Sequence, residues 1–333
     1  MLRAIIGSEL AWAIERGLGE RGRVINPAIR VQRRLVAQGR LIGKRPDVGF
    51  IPSYICGATS SPTSRPTEKI TTGALQTQSP IYEIESVWGN NPAFEVSFTS
   101  PNGIAIDVSD NVYVTEFRGN RVQKLSPDGV LLTVWGSQGS ERGEFQSPTG
   151  ITIDGRGNVY VSEIGNHRVQ KFTADGQWLA SWGSRGSADG EFGPAMVIAV
   201  DADDNLYVSD LGNGRVQVFD SDGNYLDQIG NGGTRDGEFT TPTGVKVDRD
   251  GNIWVVDHGN HRVQKFTLNG EFLAVWGSNG SDPGQFKVPT SIAIDSQGNF
   301  FVSEVDNSRV QIFSPEGDYI AELAPESFPV PTA

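Results

Sequence analysis

The chain of 333 residues contains one cysteine, Cys56, three histidines and two methionines. A single cysteine forms no intramolecular disulfide and no cysteine-rich zinc cluster. It does not fix the redox compartment. No apolar run reaches the length of a membrane span. The longest apolar stretches, Ala4–Ile6 and Leu10–Ile14, are broken by Ser8 and Glu9, too short and polar for a secretory signal. Glu9, Glu15 and Glu20 also argue against a mitochondrial-type leader, which is poor in acids. The chain therefore reads as soluble, with its compartment unset. Neither a G-x-S-x-G nucleophile elbow nor a phosphate-cradling Gly-rich loop occurs.

What is present is a repeat. Arg-Val-Gln begins at Arg121, Arg168, Arg215, Arg262 and Arg309, always 47 residues apart. Trp88, Trp135, Trp182, Ile229 and Trp276 keep the same step. Self-similarity at this period signals one supersecondary unit stacked on copies of itself. In the unit 144–183, the segments Ile151–Asp154, Val159–Glu163, Arg168–Phe172 and Trp178–Trp182 are short and rich in β-branched and aromatic residues. Turns are expected at Ser147–Gly150, Gly155–Asn158, Gly165–Asn166 and Ala174–Gly176. Four strands per unit, here called a to d outward, predict the blades of an all-β propeller. A single blade cannot cover both of its faces, so the tryptophans and tyrosines are expected to pack between blades.

Asn166-His167-Arg168-Val169-Gln170-Lys171-Phe172 and Asn260-His261-Arg262-Val263-Gln264-Lys265-Phe266 resemble the signature of the NHL repeat family. The linkers Trp135-Gly136-Ser137 to Phe145 and Trp276-Gly277-Ser278 to Phe286 are similar to its linkers. The resemblance covers about three quarters of the chain. It implies six blades and leaves the activity open, because one scaffold hosts many functions. Five full repeats run from Ser97 to Leu323. Fragments at Ala74–Gly89 and Phe328–Thr332 read as parts of a sixth, closed by both ends of the chain. Five blades with an extra outer strand is the alternative.

Three segments are expected: a basic, partly helical or disordered stretch over 1–56, a Ser/Thr/Pro-rich linker over 57–73, and the propeller over 74–333. Residues 1–80 carry 12 Lys and Arg against 5 Asp and Glu, whereas residues 81–333 carry 16 against 35. An acidic ring disfavours nucleic acid, because phosphate neutralisation needs an excess of cations.

The long d–a loops and the b–c turns share one face, which makes that face the expected ligand surface. An acid closes strand b and an arginine opens strand c in every repeat: Glu116 and Arg121, Glu163 and Arg168, Asp210 and Arg215, Asp257 and Arg262, Glu304 and Arg309. The reading is a structural ring of hairpin ion pairs, since a feature of all blades holds the blade rather than marks one site. The deviations are the site candidates. His258 stands where other repeats have Phe117, Ile164, Leu211 and Val305, and Lys246 where they have Ala105, Thr152, Ala199 and Ala293. His258, His261, His167, Arg262, Lys246 and Arg235 are therefore the candidate ligand face. No metal and no cofactor is predicted, with zinc or calcium at these histidines as the alternative.

The favoured function is a protein- or peptide-binding scaffold, monomeric and without a membrane span. The family resemblance implies two others. One is a metal-dependent propeller enzyme, a lyase or lactonase-like hydrolase; the other is RNA binding. The RING domain of ubiquitin-ligase relatives needs cysteines this chain lacks.

Overall fold

The computed structural model describes residues 96–193 and 197–323. The expected fragments of a sixth blade, the basic segment and the linker lie outside these residues, as does Pro194–Met196.

Five four-stranded antiparallel sheets follow one another, each in simple up-and-down order. Blade 1 holds β1 (Pro101–Ile106), β2 (Val112–Glu116), β3 (Arg121–Leu125) and β4 (Leu131–Trp135). Blade 2 holds β5 (Pro148–Ile153), β6 (Val159–Glu163), β7 (Arg168–Phe172) and β8 (Trp178–Trp182). Blade 3 holds β9 (Ile198–Val200), β10 (Leu206–Asp210), β11 (Arg215–Phe219) and β12 (Tyr225–Ile229). Blade 4 holds β13 (Pro242–Val247), β14 (Ile253–Asp257), β15 (Arg262–Phe266) and β16 (Phe272–Trp276). Blade 5 holds β17 (Pro289–Ile294), β18 (Phe300–Glu304), β19 (Arg309–Phe313) and β20 (Tyr319–Leu323). The inner strands pack on one another in succession: β1 on β5, β5 on β9, β9 on β13 and β13 on β17. This is the architecture of a β-propeller, with strand a of each blade nearest the axis.

Strand a begins earlier than its alternation suggests. The expected turn Ser147–Gly150 is in fact the start of β5, which pairs Pro148 with Glu163 and then shifts register before Ile151. Ser147 takes the left-handed conformation (φ 56°) and Gly150 sits in the bulge. A Cβ at Gly150 would lie 2.6 Å from Ser162 Oγ, the atom that accepts the Gly150 N–H at 3.0 Å. A sequence alternation of period 2 cannot reveal a bulge, which inserts an extra residue without breaking the strand. β9 has three residues instead of six, and it falls where the Pro-Thr-Gly pattern is lost.

The core is interblade. Trp135 lies edge-on to Tyr113 of its own blade and tilted against Phe172 of the next, with centroids 6.2 and 6.0 Å apart. Trp182 repeats this with Tyr160 and Phe219. The indole N–H groups of Trp135, Trp178 and Trp182 are buried without a protein acceptor, so packing alone seats these rings. The second contribution comes from the d–a loops. Each sends a fully buried phenylalanine (Phe145, Phe192, Phe239 or Phe286) into the seam, and burying such a ring contributes roughly 1.5–3 kcal/mol.

Candidate functional site

The register fixes which turns share a face. Pro101 pairs with Glu116 and Glu116 with Arg121, so the d–a loops and b–c turns emerge together. The a–b and c–d turns emerge at the other end.

On the first face every strand-b acid is fully buried and every one meets its arginine. Nε of Arg121 lies 2.6 Å from Glu116 Oε1, that of Arg215 3.1 Å from Asp210, that of Arg262 3.0 Å from Asp257 and that of Arg309 2.7 Å from Glu304. Arg168 pairs with Glu163 in the same way. The pair does more than close its hairpin. Glu163 also accepts the Gln146 N–H at 2.8 Å, the Asn166 amide at 2.7 Å and the Gln170 amide at 2.9 Å. Arg168 then donates to the carbonyls of Ser140, Glu141 and Glu144. Gln170 donates to the Glu144 carbonyl at 2.7 Å and accepts the Gly143 N–H at 3.1 Å. One buried carboxylate thus organises an arginine, a glutamine and an asparagine that together hold the d–a loop. The arrangement recurs at Asp210, Asp257 and Glu304. The glutamine and asparagine escape a search for charge pairs; the invariance of Gln within Arg-Val-Gln is the signal that marks them.

The histidines face the seams. His167 Nδ1 lies 2.8 Å from the Gly193 carbonyl, and a carbonyl only accepts, so this nitrogen donates. His258 Nδ1 does the same toward the Pro289 carbonyl at 3.2 Å. His261 Nδ1 accepts the Val288 N–H at 3.3 Å. His258 and His261 thus meet at Val288–Pro289, whereas His167 reaches blade 3. Among the described residues no group of three His, Cys, Asp or Glu side chains converges as a metal site.

The other candidates separate. The Arg262 guanidinium is spent on Asp257, Asp236 and the carbonyls of Arg235 and Glu238. Arg235 is exposed on the d–a loop, its side chain directed to no described partner. Lys246 pairs in register with Trp254, while His258 follows the pair Pro242–Asp257. Four residues of strand separate them, or about 13 Å. Lys246 lies toward the a–b end of the half-buried inner layer, and burial lowers its pKa to about 8.

The a–b face uses its acids internally. Asp154 Oδ1 accepts the N–H groups of Arg156 and Asn158, and its Oδ2 accepts the Tyr160 hydroxyl at 2.9 Å. Asp107, Asp201 and Asp248 do likewise, the last with the Trp254 indole. Burial first, then the neighbouring aspartate, pushes the pKa of Tyr113, Tyr160 and Tyr207 far above the usual phenol range.

Sheet order, register and seams together define a β-propeller of four-stranded antiparallel blades. The NHL repeat model matches residues 98–125, 145–172 and 286–313, and a model described as a 6-bladed beta-propeller (DUF5128) matches 198–275. The chain is an NHL-repeat β-propeller, with five blades in the described residues. Among curated proteins none matches in sequence. Solved structures share the fold at low identity. A catalytically inactive virginiamycin B lyase from Staphylococcus aureus with quinupristin is 15% identical, with 69% of this chain and 72% of that chain covered and a TM-score of 0.53. A gluconolactonase from Xanthomonas campestris is 16% identical, with 68% and 77% covered and a TM-score of 0.54. A nidogen/laminin complex chain is 20% identical, with 68% and 81% covered and a TM-score of 0.52. No helix among the described residues is long and apolar enough to cross a membrane.

Proposed function

We propose that the chain is a binding scaffold which presents the b–c and d–a face to a protein or peptide. The observation that carries this reading is the pinning of the d–a loops: the buried acid, arginine and glutamine of blades 2 to 5 tie each loop backbone to its blade. Loops fixed before encounter lose little conformational entropy on binding, which favours a preorganised recognition surface. The test is site-specific photocrosslinking of the full chain. A crosslinker at exposed Ser187 is expected to capture a discrete partner, and one at exposed Asp222 on the opposite face is not. Equal capture from both positions, or none from either, defeats the reading.

A second reading, a propeller enzyme of lyase or lactonase type, draws support from the fold likeness to the lyase and the gluconolactonase. Its three histidines are engaged at two different seams. Stoichiometric zinc in the purified full chain, lost in His258→Ala, would favour this reading over the scaffold.

A further inference from the structure

The charge left over on the b–c and d–a face has the opposite sign to the propeller as a whole. Residues 96–323 hold 16 Lys and Arg against 31 Asp and Glu. Most acids of this face are already committed. The five strand-b acids are fully buried with their arginines. Glu144, Glu191 and Glu238 accept backbone N–H groups of their own loops. Asp189 and Asp236 stand beside Arg215 and Arg262. Glu141, Asp282 and Asp306 remain. Against them stand Arg118, Arg185, Arg235 and Lys287, which make no ion pair among the described residues, and Arg142, which lies over the Trp178 ring at 4.6 Å.

Each of the four d–a loops carries one of these cations: Arg142, Arg185, Arg235 and Lys287. They do so at four different positions of the 47-residue register. A packing role fixes the register, as the buried acids and phenylalanines show; a role in surface charge does not. Beside these loops the b–c turns present Phe117, Ile164 and Leu211, all half-buried, next to the bare backbone of exposed Gly165, Gly212 and Gly259. The face therefore combines apolar side chains with unspent cations.

We propose that this face recognises an acidic peptide whose Asp or Glu residues flank an aliphatic or aromatic side chain. The apolar side chain rests on Phe117, Ile164 and Leu211, and the carboxylates meet Arg185 and Arg235. The proposal rests on the reading of this face as the scaffold's platform. A polynucleotide fits less well: the apolar positions are mostly aliphatic rather than stacking aromatics, and the propeller's overall negative field repels a polyphosphate.

The experiment pans the full chain against displayed random peptides, then measures anisotropy of an enriched peptide and of a labelled oligouridine. Enrichment of Asp or Glu next to Leu, Ile or Phe is expected. The double variant Arg185→Glu/Arg235→Glu should weaken binding at least about tenfold, and raised salt should weaken the native complex. The control Asp222→Lys/Glu316→Lys, exposed on the opposite face, should leave binding within about twofold. All four positions are exposed, and unchanged melting shows that the variants fold. Enriched peptides without acids, or indifference to the double variant, overturn the charge assignment and leave the scaffold standing. No enriched peptide defeats both, and oligouridine binding without peptide binding replaces the proposal with nucleic-acid recognition.

Discussion

His261 Nδ1 accepts the backbone N–H of Val288, one blade further on, at 3.3 Å. At the same register Asn120 Oδ1 accepts the Ser147 N–H at 2.9 Å. Both residues take the left-handed conformation, with φ of 55° and 49°. The position demands an acceptor and tolerates positive φ, and asparagine supplies both. His261→Asn is expected to leave stability within about 0.5 kcal/mol, whereas His261→Ala orphans a half-buried N–H and costs about 1–2 kcal/mol. Denaturant melts of the two variants decide this. Equal losses would mean that the ring is held for another reason.

The second prediction concerns the buried acids. Glu163 is fully buried among four donors, of which Arg168 is the only charged one. Arg168→Met leaves that charge uncompensated and should cost about 3–5 kcal/mol. It also removes the donors to the carbonyls of Ser140, Glu141 and Glu144. Trypsin should then cut faster after exposed Arg142 in that loop. Unchanged cleavage at Arg142 would show that the ion pair does not hold the loop.

Much of this architecture was legible in the sequence because the repeat fixes registers. The b, c and d strands of the second repeat, Val159–Glu163, Arg168–Phe172 and Trp178–Trp182, end where the residue pattern says they do. The five acid–arginine pairs are in contact because a tight turn joins two residues that are paired in register. Distance across the sheet was not legible. His258 and Lys246 both break the repeat, yet one sits at the b–c end of its blade and the other toward the a–b end. Nor did the unspent cations stand out, since Arg142, Arg185, Arg235 and Lys287 share no register, and a periodic reading passes over what is not periodic.

A third prediction uses the one seam that lacks a tryptophan. Gly176 and Gly270 hold the same place in their c–d turns, with φ of 82° and 77°, so a side chain strains both alike. Their neighbours differ. A Cβ at Gly176 would lie 2.6 Å from Trp135 Cδ2, but at Gly270 the nearest atom is Ile229 Cγ1 at 3.3 Å. Gly176→Ala should therefore cost more than Gly270→Ala by about 1–2 kcal/mol, the overpacking part of the loss. The double change Gly176→Ala/Trp135→Ile should recover part of that difference. If the two single variants melt together, the glycines serve φ alone and the tryptophan contact is incidental.

The last prediction reads the charge of Lys246 through stability. Burial lowers its pKa from 10.5 to about 8 in the folded chain. Between pH 8 and 10.5 the unfolded chain holds this proton and the folded chain does not, so stability contributed at this site rises with pH across that window. Below it both states are protonated and the full cost of a half-buried ammonium remains. Lys246→Ala installs the residue found at Ala105, Ala199 and Ala293. It should stabilise the fold at pH 7 by about 2 kcal/mol, a value reduced for the residual exposure of the side chain. The gain should shrink toward zero as pH approaches 10.5. Tyr113, Tyr160 and Tyr207 also titrate abnormally, but they are common to both chains and cancel in the difference. The measurement is the wild-type minus variant unfolding free energy at pH 7 and pH 10. A variant less stable at pH 7, or a difference that does not move with pH, would show that the amine contributes a favourable contact rather than a burial penalty.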